Sequence, residues 1–128
     1  TKLAPIVSSS RAAKIICDKW LANYNYLPDA IVTINDITAI GVINYLYSEG
    51  IQVPHDISIM GFDDISICEM VTPPLSTIHQ PAFDTGKQAA KYLLDKIEGQ
   101  ITEPVRITMN PVLVERKSVR KIHRKVRR

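Results

Sequence analysis

The 128-residue sequence has few of the residues that cross-link small domains or hold metals. Cys17 and Cys68 are its only cysteines, and neither lies in a CxxC motif or a Cys/His cluster. A disulfide framework is therefore not expected, nor is a structural zinc site, which needs four ligands at recognisable spacing. We predict two buried thiols in a single domain that is long enough to bury a core without cross-links.

Long apolar runs and an N-terminal leader are also missing. No run approaches the roughly 20 apolar residues that a membrane-spanning helix needs. The first residues, TKLAPIVSSSRAAK, lack the basic-then-apolar order of a secretory signal. Together with the unpaired thiols, this pattern favours a cytoplasmic protein without membrane contact.

Motifs for nucleotide binding and catalysis are absent as well. The five glycines form neither GxGxxG nor GxxxxGK[ST], so a nucleoside triphosphate site has no support. His55, His79 and His123 adjoin no Ser or Cys nucleophile motif, and we expect them to be structural or solvated. Neither an enzyme nor a bound cofactor or metal is expected.

Acidic residues are missing from the last 13 positions. Residues 116–128 hold eight of the sixteen Lys and Arg, whereas residues 1–115 carry eight basic and thirteen acidic side chains, a net charge of −5. Such an acidic body offers no electrostatic footprint for nucleic acid. We expect a domain over residues 1–118 and a solvated basic tail over 119–128, with contact to an anionic partner as the alternative for the tail.

Predicted strands alternate with predicted helices along the rest of the chain. In order, they are a helix over 8–23, a fully buried strand over 30–34, a helix over 37–47, strands over 57–60 and 75–78, a helix between Pro81 and Gly99, and an extended segment over 105–115. The helix over 37–47 has an apolar face that includes Leu46 and Tyr47, and Gly50 is its expected left-handed stop. A long polar loop is expected over 61–74. The third helix has apolar residues on one face, among them Phe83, Leu93, Leu94 and Ile97. This alternation predicts an α/β fold with a doubly wound, mostly parallel sheet.

Polar residues follow three of the predicted strands, where open α/β sheets bind ligands. Asp36 could accept hydrogen bonds from a polyol or a base edge, or could simply cap the next helix. Asp63 and Asp64 could hold a metal or act as an acid–base pair, but a turn with Asp side chains bonded to backbone N–H groups is favoured. Gln80 either lines a site or is a hinge residue fixed by Pro81.

Four motifs in combination resemble the LacI/GalR family of bacterial transcription regulators. They are PDAIVTIND (28–36), VPHDISIMGFDD (53–64), PPLSTIHQP (73–81) and LVERKS (113–118). The resemblance implies the C-terminal part of an effector-binding domain of the type I periplasmic-binding-protein kind. In this family a small-molecule effector, such as a sugar or related metabolite, binds a cleft between two subdomains and shifts a repressor's affinity for operator DNA.

The resemblance also implies roles for individual residues. Asp36 falls on the family's acidic ligand contact with Asn35 before it, Gln80 falls at the crossing between subdomains, and Asp63 and Asp64 are held as further candidates. The helix over 37–47 and the loop over 64–71 match regions that form the homodimer interface. The interface candidates are Ile43, Tyr47, Ile67, Met70 and Val71.

The sequence departs from the family pattern before residue 28. No helix-turn-helix, hinge helix or N-terminal subdomain is recognised, and the first strand of the C-terminal subdomain is not seen. We therefore expect operator contact only through a helix-turn-helix outside these residues, and an exposed sheet edge that can pair with another chain. A sugar-binding protein of a transport system has the same fold and is the alternative, although GFDD followed by PPLSTIHQP favours the regulator.

Overall fold

The computed structural model describes residue 15 and residues 18–20, 22–23 and 28–121. Its strands are β1 (Ala30–Val32), β2 (Ser58–Met60), β3 (Thr77–His79) and β4 (Val112–Val114). Its helices are α1 (Asp36–Ser48), α2 (Ala82–Ile97) and a 3₁₀ helix (Ser66–Glu69). The described residues before position 24 are helical, as predicted, and the rest of that predicted helix lies outside the described residues.

The strands are arranged in the order β1–β2–β3–β4. β1 pairs with β2 in parallel, and β3 pairs with β4 antiparallel. Parallel bridges from Met60 to Ser76 and from Asp63 to His79 join the two pairs. This topology confirms the predicted α/β class with a mostly parallel sheet. It also brings the carboxyl ends of β1, β2 and β3 to the same end of the sheet.

Helix α1 begins and ends with defined caps. The side-chain oxygen of Asn35 accepts a hydrogen bond from the Thr38 amide at 2.9 Å, so Asn35 is the N-cap. Asp36, predicted as a possible cap, is instead the first helical residue. Gly50 adopts φ +76° after the C-cap Glu49, which confirms the predicted left-handed stop.

The hydrophobic core lies between α1, β2 and the segment that enters β3. Its members, each at most 3% exposed, are Ala39, Val42, Ile43, Leu46, Ile57, Ile59, Cys68 and Leu75. Tyr47, predicted on the same helix face as Leu46, is 83% exposed, and Val42 lies in the core instead. The segment between β2 and β3, predicted as a long polar loop, contributes Cys68 through its 3₁₀ helix.

Strand β1 was predicted to be fully buried, and this prediction is wrong for the described structure. Ala30 is exposed and Val32 is 69% exposed, while only Ile31 is half-buried. Among the described residues β1 pairs with β2 alone, so its other side is an open edge. The expected exposed sheet edge is therefore present.

Helix α2 stands apart from the core. None of its residues is buried, although Phe83, Leu93, Leu94 and Ile97 were predicted to form one apolar face. A groove between α2 and residues 101–109 is lined mainly by apolar atoms. Of the predicted extended segment over 105–115, only Val112–Val114 is a strand. No helix in the described ranges combines the length and apolarity needed to cross a membrane.

Candidate functional site

Asp36 lies where α1, β2 and β3 meet. Its side chain is fully buried, and its carboxylate accepts hydrogen bonds from the Thr77 hydroxyl at 2.6 Å and the Ile65 amide at 2.9 Å. A Cβ atom at Gly61 would overlap the same carboxylate, so the close approach of the chain requires glycine there. Asp36 therefore holds the strand ends against the helix start, and its role as a ligand contact stays a prediction.

The Cys68 thiol lies beside this junction. Its burial, together with the nearby Asp36 carboxylate, raises the pKa of Cys68 to about 12. The thiol is therefore protonated at neutral pH and is a poor nucleophile or metal ligand. Cys68 confirms the prediction of a buried free thiol, whereas Cys17 lies outside the described residues. Within the described ranges, no three potential metal ligands converge.

Asp63 and Asp64 form the turn after β2, with φ values of 121° and 61°. Left-handed backbone is tolerated by Asp more readily than by most residues, so a change of chain direction suits the two residues here. The predicted side-chain bonds to backbone amides are wrong, because the Asp63 carboxylate accepts instead from Gln80 Nε2 at 2.7 Å. The Asp63 amide in turn donates to the Ile78 carbonyl at 2.9 Å, which attaches the turn to β3.

The Asp64 carboxylate is held by two cationic or polar side chains. Arg116 Nη2 donates to one oxygen at 2.8 Å, and His79 Nδ1 lies 3.0 Å from the other. Burial alone would raise the pKa of Asp64, but the hydrogen bonds from Arg116 and His79 outweigh it and hold the pKa below its usual value. Burial would likewise lower the pKa of Arg116, and the bonds to Asp64 and Glu69 raise it instead. Asp64 therefore remains a carboxylate throughout the neutral range.

The five predicted ligand residues thus lie at two places at the same end of the sheet. Asn35 and Asp36 lie at the start of α1, while Asp63 and Gln80 bond to each other next to Asp64. Asn35 uses its side-chain oxygen as a helix cap. The structure places all five candidates at the carboxyl ends of β1, β2 and β3, and their contact with a ligand stays a prediction.

Arg116 and Thr77 were not predicted as site residues, and His79 was expected to be structural or solvated, with no partner predicted for it. Arg116 was counted only as part of the basic run, although it lies within the LVERKS motif, which was the available signal. Thr77 was read as one residue of a strand. Their acceptors, Asp64 and Asp36, are about 40 to 50 residues away, so no local pattern joins them.

The second residue of the predicted basic tail, Arg120, contacts the body of the domain. Arg120 donates from Nη1 to the His55 carbonyl at 2.8 Å and from Nη2 to Asp29 at 3.3 Å, and its amide reaches Ser58 Oγ at 3.2 Å. Val119, Arg120 and Lys121 are nevertheless all exposed, so the described start of the tail is solvated, as predicted. The rest of the tail, residues 122–128, lies outside the described residues.

The predicted dimer-interface residues divide into two groups. Tyr47, Met70 and Ile67 are 83%, 74% and 42% exposed, and Val71 is half-buried. Ile43 is 3% exposed because it faces the core from the inner side of α1, so its assignment to an interface is wrong. Exposed apolar side chains therefore remain at the end of α1 and at the 3₁₀ helix.

Comparisons with known proteins agree with this arrangement. Residues 4–119 match the family described as Periplasmic binding protein-like domain. The ribose operon repressor of Escherichia coli strain K12 is 40% identical over 100 residues, 78% of this chain and 30% of the repressor. The HTH-type transcriptional repressor PurR of Haemophilus influenzae strain PittEE is 41% identical over 110 residues, 83% of this chain and 32% of PurR.

Solved structures give the same result. A LacI family transcriptional regulator from Enterococcus faecium, crystallised with bound ribose, superposes with a TM-score of 0.82 at 30% identity, covering 94% of this chain and 44% of the regulator. The chain thus spans about a third of the curated relatives that it matches. The predicted resemblance is confirmed: the chain belongs to the periplasmic binding protein-like domain family and corresponds to the C-terminal part of a LacI/GalR effector-binding domain.

Proposed function

We propose that the chain is the effector-binding and dimerisation part of a bacterial transcription repressor, whose affinity for operator DNA changes when a small molecule binds. One observation carries this proposal. The polar side chains predicted as ligand contacts lie at the carboxyl ends of three neighbouring strands, the position at which open α/β sheets bind ligands. The matched relatives are regulators, which favours this function over a sugar-binding protein of a transport system.

The proposed effector is a sugar, and ribose is the first to test. A relative is a ribose operon repressor, and a similar regulator was crystallised with ribose. The carboxylate of Asp63 and the amide of Gln80 are partly or fully exposed, and they supply the acceptors and donors that sugar hydroxyls need. Asp36 reaches a ligand only if its neighbours in the fold move, since its side chain is fully buried here.

The proposal has no catalytic step, and it places the protein in the cytoplasm with its operator. We propose a homodimer, because Tyr47, Ile67 and Met70 expose apolar side chains that a partner subunit would cover. Operator DNA would be contacted by a part of the protein outside these residues. A monomer at high concentration in light scattering would contradict the dimer.

The test compares ribose response with DNA binding in the intact gene product. Fluorescence anisotropy with DNA from upstream of its own gene measures operator affinity with and without ribose. Gln80→Ala and Asp36→Ala should weaken the ribose response about tenfold or more while operator affinity without ribose is retained, because lost buried or ligand hydrogen bonds cost about 1–3 kcal/mol.

Glu103→Gln is the matched control, since it removes an exposed polar charge far from the strand ends in sequence. Retained operator binding shows that each variant is folded. An unchanged ribose response in Asp36→Ala would exclude Asp36 as a contact or as support for one. If operator binding by the wild-type protein responds to another sugar but not to ribose, that sugar is the effector, and the proposal of a regulator is retained.

A further inference from the structure

Arg116 joins three neighbouring segments of the chain that lie 41 to 52 positions before it in sequence. Its guanidinium, 13% exposed, donates from Nη1 to the Leu75 carbonyl at 2.9 Å and from Nη2 to Asp64 at 2.8 Å and Glu69 at 3.2 Å. A guanidinium is planar, with its donors in a fixed fork. The entry to β3, the turn after β2 and the 3₁₀ helix are therefore held at set positions relative to one another.

The Asp64 end of this bridge belongs to the proposed effector side. The second Asp64 oxygen lies 3.0 Å from His79 Nδ1, and the neighbouring Asp63 accepts from Gln80. His79 and Gln80 are the last residues before Pro81 and α2. A shift of this connecting segment therefore moves partners of both turn carboxylates.

The Glu69 end belongs to the proposed dimer side. Glu69 is the last residue of the 3₁₀ helix, which carries the exposed Ile67 and is followed directly by the exposed Met70. Cys68 anchors the inner face of the same helix in the core. A displacement of Glu69 would therefore reorient the exposed side chains of Ile67 and Met70, while the buried Cys68 keeps its place.

We propose that Arg116 is a positioning residue that couples the effector side of the domain to its dimerisation surface, through Asp64 at one end and Glu69 at the other. The inference deepens the proposed function and rests on it. An effector that forms hydrogen bonds with Gln80 or His79 displaces the 63–64 turn, because these side chains bond to its two carboxylates. Arg116 bonds to both Asp64 and Glu69, so the displacement reaches Glu69. Effector affinity and dimer affinity then depend on each other, as thermodynamic linkage requires.

The first experiment needs no ligand. Asp64→Asn, Glu69→Gln and the double variant are compared by hydrogen exchange at the Met70 amide, which donates to the Ile67 carbonyl at 3.0 Å. Each single change should speed exchange about fivefold, and the double change no more than the larger single, because both release the same guanidinium. Glu49→Gln, an exposed acid at the end of α1 without an Arg116 contact, should change nothing there.

Two results would overturn the bridge. One is Met70 exchange in Asp64→Asn that equals the wild-type rate, since the effector-side turn would then not reach the 3₁₀ helix. The other is a double variant whose exchange rate is the product of the two single effects, since the two acids would then act independently.

The second experiment measures coupling in the intact protein. Sedimentation equilibrium gives the dimer dissociation constant with and without ribose, and the ratio of the two reports the coupling. Glu69→Gln should move this ratio about fivefold or more toward one while the protein still binds ribose. A purely structural role of Arg116 would change stability and leave the ratio as it is, and that result would overturn the proposal.

The two experiments separate this inference from the function on which it rests. If the wild-type protein neither binds ribose nor forms a dimer, the proposed function fails in that form. The exchange measurements still decide whether Asp64 and Glu69 act through one guanidinium.

Discussion

Helices α1 and α2 are of similar length, but α1 packs on the core and α2 does not. α1 buries Asp36, Thr38, Ala39, Val42, Ile43 and Leu46, whereas α2 buries no residue at all. Yet α2 separates its apolar and polar sides more clearly than α1 does. An amphipathic pattern therefore states which face would be covered, and only a neighbouring element decides whether it is covered.

The polar contacts differ in the same way. α1 is attached to the strands through Asp36, whose carboxylate reaches Thr77 on β3 and the Ile65 amide. The bonds recorded for α2 are local, such as Thr85 to the Pro81 carbonyl and the Glu98 amide to the Leu94 carbonyl. The region of α1 and β1–β3 thus holds the buried core and the long-range hydrogen bonds, whereas the described contacts of α2 are its own helical bonds and its groove with residues 101–109.

The largest expected difference comes from one substitution made in each region. Leu46→Ala should lower the free energy of unfolding by about 2–5 kcal/mol, because it leaves a cavity in the core. Leu94→Ala, at a side chain 58% exposed, should cost about 0.5 kcal/mol or less. Urea unfolding followed by circular dichroism measures both, and equal losses would show that the α2 face is covered in solution.

Two glycines should give effects of opposite sign. Gly61→Ala should lower the free energy of unfolding by about 1–3 kcal/mol, since its Cβ atom would overlap the Asp36 carboxylate. Gly86→Ala, inside α2 with no atom within 4 Å of the added Cβ, should raise stability by about 0.5–1 kcal/mol. Thermal melting of the two variants provides the check. A stabilised Gly61→Ala would show that the chain at Gly61 is not closely packed against Asp36.

The smallest effect concerns pH. The pKa of Asp64 lies below its ordinary value of 3.8, so its stabilising contribution is complete above about pH 4 and is lost as the pH falls through the folded-state pKa. Asp64→Asn should cost about 1 kcal/mol at pH 7, and this deficit should shrink below pH 4. Glu103→Gln, an exposed carboxylate in the other region, is the control in the same urea titrations. A deficit that stays constant down to pH 2 would show that the ionised form of Asp64 contributes nothing.

The sequence predicted the elements more accurately than their environments. Asn35 with Asp36, Gly50 and Pro81 mark helix limits by local chemistry, so the bounds of α1 and α2 were close to those observed. The buried state of β1 could not be predicted in the same way. An apolar run of three to five residues reads alike in a central strand and at an open edge.

The candidate site shows the same limit at the level of side chains. Asp36, Asp63, Asp64 and Gln80 were identified because each follows a strand, and family motifs strengthened the choice. Their partners were not identified, because the hydrogen bonds from Thr77 and Arg116 join residues 41 and 52 positions apart. Ile43 was assigned to an interface for a related reason, since position along a helix does not state which side faces the core.

By itself, then, the sequence determined what is local or periodic. It determined the alternation of helices and strands, the stop of α1 at Gly50, and the motifs that place the chain in its family. The tertiary structure decided that the Asp36 carboxylate is enclosed, that Arg116 bridges three segments, and that the apolar face of α2 is open. The physical reason is that caps, turns and periodicity depend on neighbours a few positions away, whereas burial and long-range hydrogen bonds depend on which distant segments meet.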